Sequence, residues 1–393
     1  MAWVEQSGQR SWRVRYRRDD GSIGAVCGFT SKTAATEHAQ TMESDQREGR
    51  FIDPASGRIT LAEWTRDWLA ALDVAIRTED FYRSLLRRHV LPRWGEHGLA
   101  DISGIKAAAW AKELRGRGYS PVTVASVMKL LSLLLADAAE ERLIPANPIR
   151  ARRRGKRRAE RRSERIWGTP AEVLAIADNA ARLPAAGPAA AVMIVTAAWT
   201  GARWGELAGL QRCNIRLDDG FVVIDPEIGA LLESSRGIEL GPPKTAESAR
   251  TITLPPFLIA LLREHLASHD EKFVFVSPYG EPHRRSNFGR RALRPAVDGT
   301  LEHPRATVRI EPVKAGLTFH GLRHGHKTWM IADGIPEVAQ SRRLGHILGD
   351  WIQETYSHVA AEVEQRLIAT LQDRWEKAIA DSAEHPSWRA GWA

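Results

Sequence analysis

Apolar and basic positions alternate in Trp12-Arg13-Val14-Arg15-Tyr16-Arg17-Arg18, the period of two that a half-buried strand requires. Arg13, Arg15 and Arg17 then share an exposed face that could lie along a DNA groove or simply be solvated. The turn formers Asp19-Asp20-Gly21-Ser22 follow, and Ile23–Phe29 reads as a second, returning strand. Thr30 or Ser31 caps a helix expected to reach about Glu48, and the turn-rich residues 51–58 read as a linker. From residue 61 to about 143 the period becomes helical in four segments, LAEWTRDWLAAL, FYRSLLRRHVLPRWG, IKAAAWAKELRGRG and SPVTVASVMKLLSLLLADAAEERL, enough for a compact bundle. Ser120-Pro121 is a start signal and Asn147-Pro148 a stop. On the second segment Arg83, Arg87, Arg88 and Arg93 make a basic stripe interleaved with Tyr82 and Trp94; a solvated face is the alternative.

In the second half of the chain, Thr169-Pro170-Ala171-Glu172 predicts a capped helix start. The uniformly apolar AAAVMIVTAAWT should be a buried helix ending at Thr200-Gly201, with a new helix opening at Ala202-Arg203. An arginine in a first helical turn opposes the helix dipole and invites an anion beside it. GFVVID and ARTITLP are β-type runs joined by a loop that holds Lys244 in GPPKTAES. The helix FLIALLREHLAS, the short strand-like FVFV and a basic helix over residues 286–297 follow, whereas residues 298–315 carry little pattern. Residues 318–333 form one predicted helix ended by Gly334, and Ile335-Pro336-Glu337 starts another that closes at Leu344-Gly345-His346.

The length of 393 residues suggests two or three domains. No run of eighteen apolar residues occurs, and the N-terminal residues lack the apolar core of a signal peptide, so a cytoplasmic protein without a membrane partner is expected. Cys27 and Cys213 fit neither a metal nor a disulfide spacing. The net charge of +8 is concentrated: RARRRGKRRAERRSER holds ten Lys or Arg against two Glu, 10 − 2 = +8, so the rest of the chain is neutral. Arg152, Arg153, Arg154, Arg157 and Arg158 in this segment can displace counterions from phosphates, or merely belong to a solvated tether.

His320 and Arg323 in FHGLRH are three apart and face the same way on a helix, a pair suited to a phosphate. With Arg203 and Glu206, Lys244, His346 in LGH and Tyr356 in TYSHV, they occur in an order that resembles the tyrosine recombinase, or phage integrase, family. The resemblance is close from about Ile166 to Val359 and rests on arrangement alone upstream. It implies a multidomain, mainly α fold: a small α/β arm-type DNA-binding module (1–50), a helical, SAM-like core-binding domain (58–148), a basic linker (149–165), an α+β catalytic domain (166–380) and a tail (381–393).

The resemblance also implies chemistry. Tyr356 would be the nucleophile that keeps the cleaved strand as a 3′-phosphotyrosine. Arg203 and Arg323 would hold the phosphate oxygens, which bidentate guanidinium suits. His320 would assist proton transfer, His346 would donate a hydrogen bond to the phosphate, Lys244 would protonate the leaving 5′-oxygen and Glu206 would fix the arginines. His324 and His326 compete only weakly for a catalytic role, and His358 is read as supporting structure. Neither metal nor another cofactor is implied. The implied partners are double-stranded attachment sites, a homotetramer on a Holliday junction, and accessory excision and DNA-bending proteins, in the host cytoplasm at the nucleoid. Residues 360–379 are expected to form a helix that docks on a neighbouring protomer, with capping of its own domain as the alternative. Two other functions remain open from sequence: a DNA-binding protein that has lost the reaction, and a type IB topoisomerase with similar catalytic residues.

Overall fold

The computed structural model describes residues 2–18, 21–149, 165–346 and 359–381. The chain divides into two compact units, Met1–Ala159 and Glu160–Ala393. The expected basic segment 150–164, with Arg152, Arg153, Arg154, Arg157 and Arg158, lies outside the described residues, as do Tyr356, His358 and the tail from 382.

The first unit opens with a three-stranded antiparallel sheet, β1 (Ala2–Gly8), β2 (Ser11–Arg17) and β3 (Ile23–Phe29), with β2 in the middle. The alternation of β2 turns Val14 and Tyr16 into a core with Ala35, Ala39 and Met42 of α1 (Lys32–Arg47). Two strands were expected and three are present: β1 lacks a clean alternation, and its cross-strand register alone makes it a strand. That register sets Glu5 opposite Arg13. Glu5 accepts from Arg13 Nε at 2.8 Å and lies 3.5 Å from Arg15 Nη1, so Arg13 and Arg15 are half-buried and paired, and only Arg17 of the three is exposed.

The rest of this unit is a helical bundle. α2 (Leu61–Ala71) is capped by Thr60 and Glu63; α3 (Ile76–Leu85) passes through a π-helical turn, Leu86–Val90, into the short α4 (Leu91–Trp94). Pro92 cannot donate to the ladder there, and the wider turn accommodates it. α5 (Gly104–Gly116) and α6 (Pro121–Glu140) complete the bundle. By length and composition α6 could cross a membrane, the one such helix among the described residues. Its Val127, Leu131, Leu134 and Leu135 instead meet Trp68, Trp94 and Trp110 in the bundle core. Arg83 pairs with Glu79 one turn back, while Arg87 and Arg88 are exposed.

The second unit is built around α8 (Gly187–Thr200), buried from Ala190 to Thr200 and flanked by α7 (Pro170–Ala181) and the later α13 (Phe319–Ala332). α9 (Trp204–Ala208) follows at once, then β4 (Ile215–Arg216), β5 (Phe221–Ile224), β6 (Ala230–Ser234), β7 (Gly237–Gly241) and β8 (Arg250–Thr253). β5 and β8 pair antiparallel, but a β6–β7 hairpin intervenes between the two runs expected to be joined by a simple loop. Its strands, ALLES and GIELG, are short and weakly patterned. The expected strand FVFV is only two isolated bridges, Phe273 to Gln211 and Val276 to Pro282, with Val274 and Phe275 buried as core residues.

α10 (Pro256–Ala267), α11 (Arg285–Phe288), a second π-helical turn (Gly289–Leu293) and α12 (Arg294–Asp298) lead to α13, and α14 (Glu337–Leu344) leads to α15 (Ala361–Ala380). The helix expected to dock on a neighbour packs on its own unit. Leu367, Leu371 and Trp375 of α15 are buried, Trp375 stacks on Phe257 at 4.1 Å, and Trp199 Nε1 donates to Leu371 O at 3.0 Å. The aromatic face of α15 finds its partners within the same chain, which favours intramolecular burial.

Candidate active site

Three backbone termini meet at one point: the C-terminus of α8, the start of α9 and the C-terminus of α14. Gly201 closes α8 at φ 65°. A Cβ there would lie 2.6 Å from Leu344 Cδ2 and 2.8 Å from His326 Cδ2, so glycine is needed both for the left-handed turn and for the approach of α13 and α14.

Arg203 caps α9, and the anion its position invites is its own Glu206. The carboxylate accepts the Arg203 backbone N–H at 2.9 Å and Nη1 at 2.7 Å. Arg203 Nη1 also donates to Ser248 Oγ at 2.7 Å, and Nη2 to Gly345 O at 2.9 Å. Arg250 grips Glu206 from the other side, Nη2 to Oε2 at 2.9 Å. Burial by itself would raise the Glu206 pKa; the Arg250 charge and the hydrogen bonds of both arginines outweigh it and hold the carboxyl below its ordinary value.

Arg323, 4 % exposed, donates from Nη1 to Gly201 O at 2.6 Å and from Nη2 to Leu344 O at 2.6 Å and His346 Nε2 at 2.8 Å. Because guanidinium only donates, His346 Nε2 is the acceptor and its hydrogen sits on Nδ1. Desolvation, with Arg203 and Arg250 nearby, lowers Arg323 to about 9, which leaves it cationic at neutral pH. His320, one turn before Arg323 on α13, stands at the surface with its ring 4.6 Å from that of His324. Desolvation first, then the charges of His324, Arg323, Arg165 and Arg285, push it down to about 4. His346 falls to about 4 as well, by desolvation and then Arg323 and Lys327. Both imidazoles are therefore neutral in the free protein near pH 7.

Lys244 is exposed on the loop between β7 and β8. Arg203, Glu206, Arg323 and His346 thus form one bonded cluster with His320 at its rim; Lys244 stands apart on its loop, and Arg13, Arg15, Arg17, Arg83, Arg87 and Arg88 belong to the other unit. Among the described residues no three His, Cys, Asp or Glu side chains gather to hold a metal ion.

Sequence reasoning missed Arg250, Ser248 and Arg343. Arg343 is buried, donating to His326 Nε2 at 2.9 Å, Trp199 O at 3.0 Å and Thr253 O at 3.1 Å, which ties α14 to α13, α8 and β8. His326 accepts that bond at zero exposure, and the bulky Trp329 beside it is buried with Nε1 donating to Gly168 O at 3.2 Å. The arginine preceding the β-type run TITLP and the pair in SRRLGH were the available signals; neither has a local pattern that distinguishes it from a surface arginine.

The profile of the phage integrase family matches residues 167–362. The chain is 30% identical over 314 residues to the integrase of Mycobacterium phage FRAT1, covering 75% of this chain and 90% of that one. It is 29% identical over 381 residues to the integrase of Mycobacterium phage D29, covering 88% and 97%. In fold it is similar to the Tn1549 transposon integrase in complex with a circular intermediate DNA, with TM-score 0.61, 18% identity and coverage of 80% and 99%. It is likewise similar to a lambda integrase tetramer bound to a Holliday junction, with TM-score 0.54, 18% identity and coverage of 91% and 98%. With Arg203 and Arg250 braced on the buried Glu206 carboxylate and Arg323 bonded to His346 at the end of α14, the chain belongs to the phage integrase family of tyrosine-type site-specific recombinases.

Proposed function

We propose that this chain integrates and excises a phage or other mobile element, cleaving and rejoining double-stranded DNA at attachment sites through a covalent 3′-phosphotyrosyl intermediate. The observation that carries this reading is the convergence of Arg203, Arg323 and His346 from three separate segments. Among the described residues, three side-chain N–H groups of Arg203 and three of Arg323 are committed to protein acceptors. A guanidinium has five, so roughly two on each remain for phosphate oxygens, on groups already held in place.

In the cleavage step the Tyr356 Oη–P bond forms and the P–O5′ bond breaks. The tyrosyl proton passes to His320, whose neutral form near pH 7 can accept it, and Lys244 gives a proton to O5′. Arg203 and Arg323 stabilise the charge on the non-bridging oxygens, with His346 adding a hydrogen bond; Glu206 fixes Arg203. A 5′-hydroxyl from the partner strand reverses the step, so no bond energy is lost.

Around this chemistry, residues 1–50 are an arm-type module, 58–148 the core-binding domain, 149–165 the basic linker, 166–380 the catalytic domain and 381–393 the tail. Arg17, Arg87 and Arg88 contact DNA from exposed positions, Arg13, Arg15 and Arg83 with their carboxylate partners displaced, and Arg152, Arg153, Arg154, Arg157 and Arg158 from the linker. Four protomers act together on a Holliday junction in the host cytoplasm, at the nucleoid, with accessory excision and DNA-bending proteins. Incubation with a nicked half-site tests the reading: wild type accumulates a covalent protein–DNA adduct and Tyr356→Phe does not. An adduct that persists in Tyr356→Phe, or none with wild type on any attachment site, overturns it.

A further inference from the structure

The loop that carries Lys244 is exposed at the lysine but fixed a few residues later. Thr245 to Ser248 forms a tight turn closed by Ser248 N–H to Thr245 O at 3.0 Å and by a hydrogen bond between Thr245 Oγ1 and Ser248 Oγ at 3.0 Å. Ser248 is fully buried. Its Oγ accepts Arg203 Nη1 at 2.7 Å, and its carbonyl accepts Arg250 Nη1 at 2.7 Å. Both arginines hold the two oxygens of Glu206, so the serine is gripped at side chain and backbone by one carboxylate-centred cage. The floor of the cage is Gly345, at φ 62°, where a Cβ would lie 2.9 Å from Glu247 O and 3.0 Å from Ser248 Cα. Any side chain at 345 would push the turn away from the arginines.

We infer that the turn Thr245–Ser248 is a latch that sets the position of the Lys244 ammonium relative to the phosphate site, and that the Ser248 hydroxyl is its positioning residue. A surface lysine has a flexible four-carbon stem, and its reach is defined only if its backbone is. Three residues separate Lys244 from Ser248, and the only side-chain bond from this turn to a phosphate-binding arginine among the described residues runs through Ser248 Oγ. The hydroxyl is assigned no contact with the reacting atoms in this reading. It acts through Lys244, and so its loss is felt in protonation of O5′ rather than in capture of the phosphate.

The inference rests on the reading of Lys244 as the acid, and the test separates the two. Cleavage of one half-site is measured with the ordinary 5′-oxygen and with a 5′-bridging sulfur, whose thiolate leaves without a proton. Wild type, Lys244→Ala, Ser248→Ala and Thr245→Val are compared, with thermal unfolding of each. Ser248→Ala is expected to lose on the order of tenfold to a hundredfold on the oxygen substrate, the cost of a small displacement of a catalytic group. On the sulfur substrate it should return to within about threefold of wild type, as should Lys244→Ala, because the acid is then dispensable. Thr245→Val should behave like a weaker Ser248→Ala, and Thr245→Ser, which keeps the hydroxyl, should retain more of the rate. An equal loss of Ser248→Ala on both substrates, or no loss on oxygen, overturns the latch. If Lys244→Ala is not rescued while wild type cleaves, the acid assignment falls and the latch with it; if wild type forms no adduct with either substrate, the parent reading fails. Should Ser248→Ala not fold, the contrast of Thr245→Val with Thr245→Ser decides.

Discussion

In the unit Met1–Ala159 the described arginines singled out for DNA, Arg13, Arg15, Arg17, Arg83, Arg87 and Arg88, are exposed or half-buried, whereas in Glu160–Ala393 Arg203, Arg250, Arg323 and Arg343 are ligated by the protein itself. Arg83 has a single carboxylate one turn away, and Arg87 and Arg88 are exposed. Arg323 and Arg343 instead donate to the carbonyls of Gly201, Leu344, Trp199 and Thr253, acceptors that come from helix ends and a strand. A surface guanidinium is a mobile charge: it attracts phosphates, is screened by salt and tolerates change. A guanidinium ligated by fixed carbonyls is already oriented when a phosphate arrives, and the reaction need not reorganise it. One residue type is left facing solvent or a single carboxylate in the first unit and is held by fixed acceptors in the second, and the difference lies in what accepts its hydrogens.

The contrast breaks most visibly at Glu206. Glu206→Gln leaves the buried Arg250 side chain and the partly exposed Arg203 against a neutral partner, and should cost the catalytic unit about 3–5 kcal/mol in chemical denaturation. Retained stability would mean that the cage is held by its carbonyls alone. Next, Arg323→Lys keeps the charge but loses the planar fork, and adduct formation should fall by roughly 10²- to 10³-fold while binding of DNA changes far less. A parallel fall in both would make Arg323 a binding group like the surface arginines.

Acid provides a third, smaller effect. Burial lowers His265 and His283 to about 4 and His326 well below its ordinary value. Between pH 6.5 and 4 the unfolded chain takes up protons that the folded chain refuses, so stability is lost as pH falls through this window. At pH 5 the loss should be about 2 kcal/mol for each of His265 and His283, read as a lower Tm than at pH 7 and flattened in His265→Gln. A Tm independent of pH over this range contradicts the burial assigned to them. In the first unit and the linker the signature is ionic instead: neutralising Arg152, Arg153 and Arg154, or Arg87 and Arg88, should reduce the salt slope of DNA binding by roughly 0.9 for each phosphate that is no longer neutralised, without changing stability. Smallest of all, Arg83→Ala removes one exposed pair and should cost at most about 0.5 kcal/mol in unfolding.

Much of the fold was legible because its signals are local. Thr169 with Glu172 is a capping box that bonds within three residues, and the apolar face of α6 repeats at helical spacing. The elements that were missed lack such signals: β1 exists because β2 pairs with it, and the strands of the β6–β7 hairpin are too short and weakly patterned to announce themselves. FVFV failed for the opposite reason. Its β-type residues are buried as core, and burial suits Val274 and Phe275 whether or not a ladder forms. The expected docking of α15 on a neighbour gave way to packing on its own unit, since an amphipathic helix shows that it has a partner but not which one.

The sequence by itself determined the order of Arg203, Glu206, Lys244, His320, Arg323, His346 and Tyr356, and with it the family and the kind of chemistry. Only the tertiary structure decided how Arg203, Glu206, Arg323 and His346 are brought together: that Arg203 reaches Gly345 O across 142 residues, that Arg323 is tethered to Gly201 O and His346, that Arg250 and Ser248 complete the cage around Glu206, and that Arg343 ties α14 to His326 beside it. A motif records which side chain the chemistry needs at a position. The acceptors that hold it are mostly backbone carbonyls, which every residue carries and no sequence pattern marks.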